Sequence, residues 1–249
     1  MIIDEVCKEI LEYAPKVLKL VDYGVGIKYT YAVVSDGIQK SIGVAYTPLE
    51  DVTHAEEPLY EITLKDTCSL ISSVKPLHKS LGISIINSIS QLILKDDEVE
   101  IKGDIIKYLK INPNDAVLII GYMEPLVKAV KSITNNVFVI ERNPAIRRDG
   151  LPDVAIWRVA PKVNKVIITG ATLVNDTLDL ILKLCENAEV KAIVGPTAQL
   201  HPKFFFSMGI NVVGSVKITD VDKAVSCIKL GCGAKSLYKL GFKYVSANV

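Results

Sequence analysis

Ala116-Val-Leu-Ile-Ile120 is an unbroken apolar run, and Gly121-Tyr122-Met123-Glu124-Pro125 follows it directly. An apolar run that does not alternate with polar residues is typical of a parallel strand covered on both faces. This stretch therefore predicts the first strand of a buried parallel sheet, with a loop beginning at Gly121.

Similar short runs recur further along the chain, at residues 137–140, 154–159, 165–168, 192–194 and 211–213. A helix is predicted between the fourth and fifth of these six strands, because Leu178, Ile181, Leu182 and Cys185 share one helical face. Alternating strands and helices indicate parallel strands with right-handed crossovers. We therefore expect an α/β fold, with a Rossmann-like, mainly parallel sheet and helices on both faces.

The residues before this sheet follow a different pattern. Apolar residues between positions 6 and 21 recur at helical spacing, with a kink or restart at Pro15. Residues 28–35 and 38–47 predict two antiparallel strands, joined at Asp36-Gly37 by a type I′ turn.

A second helical segment is predicted over residues 67–94, with breaks near Pro76 and Gly82. The charged stretch at residues 95–103 is the predicted domain junction. We expect a smaller α+β domain over residues 1–103 and the Rossmann-like domain over residues 104–249.

Composition narrows the classes of function. The chain has 249 residues, of which 49% are hydrophobic and 23% charged, and its formal net charge is +1. This is the composition of a globular protein, and the balanced charge argues against nucleic-acid or anionic-membrane partners. An acidic start without a basic segment predicts no signal peptide, and no apolar run approaches the ~20 residues that span a bilayer. We expect a cytoplasmic protein that binds a small molecule and that is a candidate homo-oligomer.

The five cysteines, at positions 7, 68, 185, 227 and 232, are scattered and odd in number. They form no Cys-x-x-Cys pair, so their spacing predicts neither a disulfide framework nor a zinc finger. Cys185, Cys227 and Cys232 could together bind a soft metal, and buried inert thiols are the alternative. The histidines at positions 54, 78 and 201 lack metal-ligand spacing, so we expect no structural zinc.

Polar residues, glycines and prolines follow four of the predicted strands. In open parallel sheets ligands bind beyond the carboxyl ends of the strands, where strand order reverses. The candidate ligand-binding residues at these strand ends are Gly121, Tyr122, Glu124, Glu141, Arg142, Asn143, Thr169, Gly170, Thr172, Asn175, Gly195, Pro196 and Thr197.

Glu141 lies 20 residues after Gly121, where a dinucleotide-binding fold places the acid that accepts hydrogen bonds from ribose hydroxyls. The alternative is an ordinary surface ion pair between Glu141 and a cation such as Arg142. The G-x-G-x-x-G fingerprint is absent, and Glu124-Pro125 would cradle a pyrophosphate poorly. NAD and FAD are therefore not expected in their usual mode, and the lack of a Walker A motif leaves ATP hydrolysis without support.

The loop at residues 169–177 offers hydroxyls, an amide and a helix start. Such a loop suits an anion, a carboxylate or a sugar edge. The alternative is that Thr172 or Asn175 only caps the following helix, with Asp176 favourable to the helix dipole. His201 lies close behind Thr197 in the chain and is a further candidate for the same cleft.

Four motifs carry a family resemblance: Val117-Leu-Ile-Ile-Gly-Tyr-Met-Glu-Pro125, Val139-Ile-Glu-Arg-Asn-Pro144, Val166-Ile-Ile-Thr-Gly-Ala-Thr-Leu-Val-Asn-Asp-Thr-Leu178 and Val194-Gly-Pro-Thr197. They resemble the Putative heavy-metal chelation domain family, and the likeness covers residues 104–249. The resemblance implies a Rossmann-like domain beside a smaller domain similar to the amino-terminal domain of enolase. It also implies a ligand site between the two, with Asn87 and Tyr46 contributed by the smaller domain.

Three functions are compatible with these patterns. The first is a small-molecule-binding protein or enzyme with its site at the domain interface, expected to act in heavy-metal chelation or metal-chelator handling. The second is a transferase or synthase that uses a nucleoside cofactor such as S-adenosylmethionine. The third is a non-catalytic chaperone or scavenger of a metal complex. A nucleoside-type ligand and a metal ion are the two cofactor classes that remain open.

Overall fold

A computed structural model describes residues 1–52 and 61–248 of the chain. The first part contains the helices α1 (Ile2–Tyr13), α2 (Thr67–Ile71) and α3 (Pro76–Ile93), and the strands β1 (Lys19–Val25), β2 (Tyr29–Ser35) and β3 (Lys40–Tyr46). The three strands form an antiparallel sheet in the order β1-β2-β3. Helix α3 packs against this sheet, and its apolar residues, such as Ile86, are fully buried.

The second part is built on a seven-stranded sheet. Its strands are β4 (Glu100–Ile101), β5 (Val117–Ile120), β6 (Val137–Ile140), β7 (Lys165–Thr169), β8 (Val190–Val194), β9 (Val212–Ile218) and β10 (Gly241–Ala247). Its helices are α4 (Ile105–Leu109), α5 (Glu124–Lys131), α6 (Ile156–Val159), α7 (Leu178–Leu184), α8 (Pro202–Ser207), α9 (Val221–Lys229) and α10 (Ala234–Leu237).

The strand order is β4-β10-β9-β8-β7-β5-β6. Strands β5 to β9 are parallel, and β10 and β4 add an antiparallel edge. Successive residues of one strand belong to different hydrophobic clusters. Leu118 packs toward α7 and α8, and Ile119 packs toward α4 and α5. Because both faces are covered by helices, every position of β5 is buried, which explains its unbroken apolar run. The protein is α/β, with a mostly parallel sheet and a smaller antiparallel one.

Helices α1 and α3 pack against the second part of the chain rather than apart from it. Ile3 and Ile86 from the first part share one buried cluster with Ile168 and Phe205 from the second. The division at residue 103 stays a prediction, and buried contacts cross it. Among the helices of the described residues, none combines the length and the apolar character that a bilayer crossing requires.

Several local predictions were wrong. The first helix ends at Tyr13 and residues 19–25 form β1, because Pro15 stops the helix and the partly buried Leu20 then packs against the main hydrophobic cluster. Residues 154–159 are helical rather than a strand. Helix α3 begins at Pro76, as predicted, but continues through Gly82 without a break.

The turn between β2 and β3 is longer than predicted. Ser35 pairs with Lys40, so four residues form the loop, and only Gly37 has a positive φ, of 92°. The Asp36 carboxylate accepts hydrogen bonds from the N–H groups of Ile38 and Gln39, both at 2.9 Å. This Asx turn replaces the predicted type I′ turn, in which Asp36 would also need a positive φ.

The cysteine prediction was also wrong, because the structure contains two disulfides. Cys7 of α1 is bonded to Cys68 of α2, and Cys227 of α9 is bonded to Cys232. Cys185 is the free cysteine and is buried. The pairing could not be deduced from spacing, since Cys7 and Cys68 are brought together only by the packing of α1 on α2.

Candidate functional site

Strand order reverses between β5 and β7. The chain leaves β5 through α5 to reach β6 on one side, and leaves β7 through α7 to reach β8 on the other. A cavity of about 410 Å³ opens beyond the carboxyl ends of these strands. This is the position at which open α/β sheets bind ligands. The cavity is lined by Tyr46, Glu50, Ile120, Gly121, Tyr122, Met123, Ile140, Glu141, Arg142, Ile146, Asp153, Val154, Ile156, Trp157, Thr169, Ala171, Thr172, Asn175, Thr177, Leu180 and Ile181.

The loop after β5 uses its backbone N–H groups internally. Gly121 N donates to Ile140 O at 2.7 Å, and Met123 N donates to Gly121 O at 3.0 Å. Tyr122 N donates to the Glu141 carboxylate at 2.9 Å, and Pro125 has no N–H group. These bonds leave little backbone for a pyrophosphate, in agreement with the missing glycine fingerprint.

The Glu141 carboxylate connects two strand ends. Its Oε2 accepts from Tyr122 N, and its Oε1 accepts from Asn143 N at 2.8 Å. Arg142 pairs instead with Asp51 at 2.7 Å, so the expected alternative of a Glu141–Arg142 pair was wrong. A carboxylate has about four lone-pair sites, so Glu141 keeps acceptor capacity while its position is held.

Side chains of the loop at residues 169–177 form hydrogen bonds within the loop. Thr169 caps a short 3-10 turn (Gly170–Leu173), and Thr172 Oγ1 donates to Thr169 O at 2.8 Å. Asn175 Oδ1 accepts from Thr177 Oγ1 at 2.7 Å. The residue before α7 is Thr177, without a side-chain cap, so neither Thr172 nor Asn175 is the helix cap that the alternative reading required. The side chains of Thr169, Thr172 and Asn175 border the cavity.

Two residues of the first part of the chain, Tyr46 and Glu50, line the cavity. Tyr46 ends β3, and its hydroxyl donates to the two Glu50 carboxylate oxygens at 2.9 and 2.8 Å. Burial raises the pKa of the Tyr46 phenol well above its ordinary value, and the Glu50 carboxylate raises it further. Tyr46 is therefore a neutral donor near pH 7.

Other predicted site residues lie outside the cavity and have structural roles. Asn87 is fully buried, and its Nδ2 donates to Val44 O at 2.8 Å and to Thr197 O at 2.9 Å. Thr197 Oγ1 accepts from Tyr46 N at 3.0 Å. Asn87 and Thr197 therefore join α3, β3 and the loop after β8, behind the site rather than inside it.

The remaining candidates are also displaced from the cavity lining. Glu124 forms ion pairs with Lys128 at 2.9 Å and Arg148 at 3.0 Å. Asn143 supplies its backbone N–H to Glu141. Gly170, Gly195 and Pro196 are absent from the cavity lining.

Two models of known protein families match the chain. A model described as Putative heavy-metal chelation matches residues 104–246, and a second model with the same description matches residues 7–90. The chain belongs to this family.

Similar proteins match this member of the Putative heavy-metal chelation family over nearly its full length. An uncharacterized protein of Methanocaldococcus jannaschii is 32% identical over 254 residues, covering 98% of this chain and 97% of the relative. A crystal structure of a family member of unknown function from Pyrococcus horikoshii has a TM-score of 0.91 at 31% identity, over 100% of both chains. A structure from Desulfitobacterium hafniense, with a TM-score of 0.82 and 18% identity over 98% of both chains, shares the fold.

The described residues of this family member do not fit a heavy-metal centre. Four cysteines are consumed in disulfides, and burial raises the pKa of the Cys185 thiol to about 11, so it does not supply a thiolate. Within residues 1–52 and 61–248, no group of three His, Cys, Asp or Glu side chains is placed to hold a metal ion. His54 lies outside the described residues. The alternative in which Cys185, Cys227 and Cys232 bind a soft metal was therefore wrong, and of these three only Cys185 is the buried thiol of the other alternative.

The sequence analysis missed the apolar wall of the cavity. Trp157 lines the cavity, is 61% exposed and lies in α6, within the segment that had been predicted as a strand. Pro152-Asp153 precedes it and is a helix-start signal that would have favoured the observed structure. Ile146, Val154 and Leu180 are further exposed apolar residues of this wall.

Proposed function

We propose that this member of the Putative heavy-metal chelation family binds a small organic molecule in the cavity at the carboxyl ends of β5 and β7, where strand order reverses. The observation that carries the proposal is the cavity of about 410 Å³ between the strand ends and Tyr46. Ligand pockets of roughly 300–1,000 Å³, with apolar walls and a few placed polar groups, suit small molecules. The site lies between the two predicted domains, so both contribute to binding.

The ligand has an apolar body. Ile120, Met123, Ile140, Trp157 and Leu180 line the cavity. Such walls gain free energy from an apolar or aromatic group and gain little from a hydrated metal ion. If heavy metals are the physiological cargo, they enter as an organic chelate, since the described side chains do not provide their own ligand set.

A second candidate is a transferase or synthase with a nucleoside cofactor, such as S-adenosylmethionine. It is favoured by the Glu141 carboxylate, which is held at the end of β6 by two backbone N–H groups. A carboxylate at this strand end accepts hydrogen bonds from ribose hydroxyls in Rossmann folds. Adenosine and S-adenosylmethionine test this candidate directly.

Trp157 provides the assay, because it is the only tryptophan of the chain and it lines the cavity. Nucleosides, amines, organic acids, metal salts and metal chelates are titrated while its fluorescence and the melting temperature are followed. A ligand at 100 times its Kd raises stability by about 2.7 kcal/mol. Binding that shifts Trp157 emission and weakens in Glu141→Gln supports the proposal. If no compound changes either signal, the proposal fails.

The cytoplasmic location also stays part of the proposal. Two disulfides are unusual in the reducing cytosol of mesophiles, whereas intracellular proteins of hyperthermophiles often contain them. A cytoplasmic location is therefore compatible with the disulfides in a thermophilic source.

A further inference from the structure

The described residues that line the cavity carry an excess of negative charge. Three carboxylates line it, on Glu50, Glu141 and Asp153. The guanidinium of Arg142 is the cation among the described lining residues, and it is already paired with Asp51 at 2.7 Å. Among the described residues, none of these three carboxylates forms an ion pair with a lysine or arginine, since the nearby Arg147 donates to the backbone carbonyl of Glu141 rather than to its carboxylate.

The backbone N–H groups of the loop after β5 are already used. The N–H groups of Gly121, Tyr122 and Met123 are bonded within the strand-end loops. Helix α5 begins with Glu124-Pro125, so its first turn carries a carboxylate and lacks one N–H group. A phosphate or carboxylate at this position would therefore find few backbone donors.

The aromatic wall suits a positive charge. Trp157 is 61% exposed, and in the described part of the chain its ring has no stacked Lys or Arg side chain. An organic cation over the face of a tryptophan is attracted by the ring quadrupole. Tyr46 stays neutral near pH 7 and donates to Glu50, so it orients that carboxylate without neutralising it.

We propose that the cavity selects a small organic cation, with an amine or sulfonium charge on an apolar body. The carboxylates of Glu50 and Glu141 receive the charge, and Trp157 with its apolar neighbours receives the body. This inference rests on the proposed function, because it names the ligand class of the same cavity.

The test uses three compounds with one ring and different charge: 2-phenylethylamine, 2-phenylethanol and phenylacetate. Each is titrated into the full chain, with Trp157 emission and the melting temperature as readouts. We expect the amine to bind at least about tenfold more tightly than the alcohol, as for a hydrogen bond to a charged group. The acid should bind more weakly than the alcohol.

Two substitutions locate the charge. Glu50→Gln keeps the shape, and Tyr46 can still donate to the amide oxygen, so the preference for the amine should fall several-fold while binding of the alcohol stays unchanged. Glu12→Gln, on the exposed side of α1, is the matched control and should change neither. Glu141→Gln serves as a second variant, with its melting temperature reported because two backbone N–H groups depend on that carboxylate.

Equal binding of amine and alcohol, tighter binding of the acid, or no binding of the amine overturns the inference. A preference that survives both Glu50→Gln and Glu141→Gln overturns the assignment to these carboxylates. The proposed function fails separately, when the whole ligand screen leaves Trp157 emission and the melting temperature unchanged. If only neutral compounds bind, the proposed function is supported and the inferred preference for a cation is wrong.

Discussion

Gly121 and Thr169 are in direct contact where strand order reverses between β5 and β7. A Cβ atom added to Gly121 would lie 2.8 Å from Thr169 Cγ2. The two residues follow neighbouring parallel strands, in which Ile120 pairs with Ile168. Gly121 has a φ of +90°, a value that side chains disfavour. The contact brings the loops after β5 and β7 together, and both residues line the cavity.

Replacing Gly121 with alanine should therefore destabilise the fold for two reasons, backbone strain and the clash with Thr169. We expect a loss of about 2–4 kcal/mol, measured by urea unfolding. Gly209→Ala is the matched control, since its φ is +82° but no atom lies within 4 Å of the added Cβ. Thr169→Ser removes the clashing methyl group and should partly restore Gly121→Ala. An equal loss in the two glycine variants would contradict the contact.

The two disulfides should differ in their contribution to stability. Cys7–Cys68 closes a sequence separation of 61, and Cys227–Cys232 closes a separation of 5. In the chain-entropy model the longer loop stabilises by about 2 kcal/mol more, so Cys68→Ser should lower the free energy of unfolding more than Cys232→Ser. The unfolded, unreduced chain should show one thiol, from Cys185. Five thiols without reductant would rule out both bonds.

Asn87 should be essential for the packing of the two parts of the chain. Asn87→Ala leaves the carbonyls of Val44 and Thr197 without their donor and opens a small cavity, at a cost of about 2–4 kcal/mol. The neighbouring Ser88 is equally buried, but its hydroxyl donates to Ile85 O within the same helix. Ser88→Ala should cost less than about 1 kcal/mol. Similar losses in the two variants would show that Asn87 does not connect the parts.

His201 should make stability depend on pH. Burial lowers its pKa below the ordinary value of about 6.5, and Glu98 only partly opposes this shift. Between pH 7 and 5 the unfolded chain therefore binds more protons than the folded chain, and the free energy of unfolding should fall as the pH falls. Glu98 itself has a lowered pKa, because the Lys95 N–H group donates to it, so its contribution is lost only at lower pH.

His201→Asn removes the titrating group and keeps a side chain that can cap α8, where His201 Nδ1 accepts from Lys203 N. Urea unfolding of the variant should therefore show a flatter dependence between pH 7 and 5. An unchanged slope would assign the pH dependence to other groups.

Much of the sheet could be predicted from the sequence, because burial on both faces produces unbroken apolar runs. Ala116–Ile120 and residues 165–168 are such runs, and both lie in parallel strands. Residues 154–159 are also mostly apolar, yet they are helical and line the cavity. A short apolar segment fits a strand and a buried helix equally well, so composition alone could not separate them.

The sequence by itself determined the α/β class and the position of the candidate site, since the carboxyl ends of parallel strands must meet at one edge. Only the tertiary structure decided which polar residues border the cavity. Glu141 does, while Asn87 and Thr197 connect the parts of the chain behind it. It also decided that Cys7 pairs with Cys68. These outcomes depend on side-chain directions and on contacts between distant segments, and spacing along the chain carries neither.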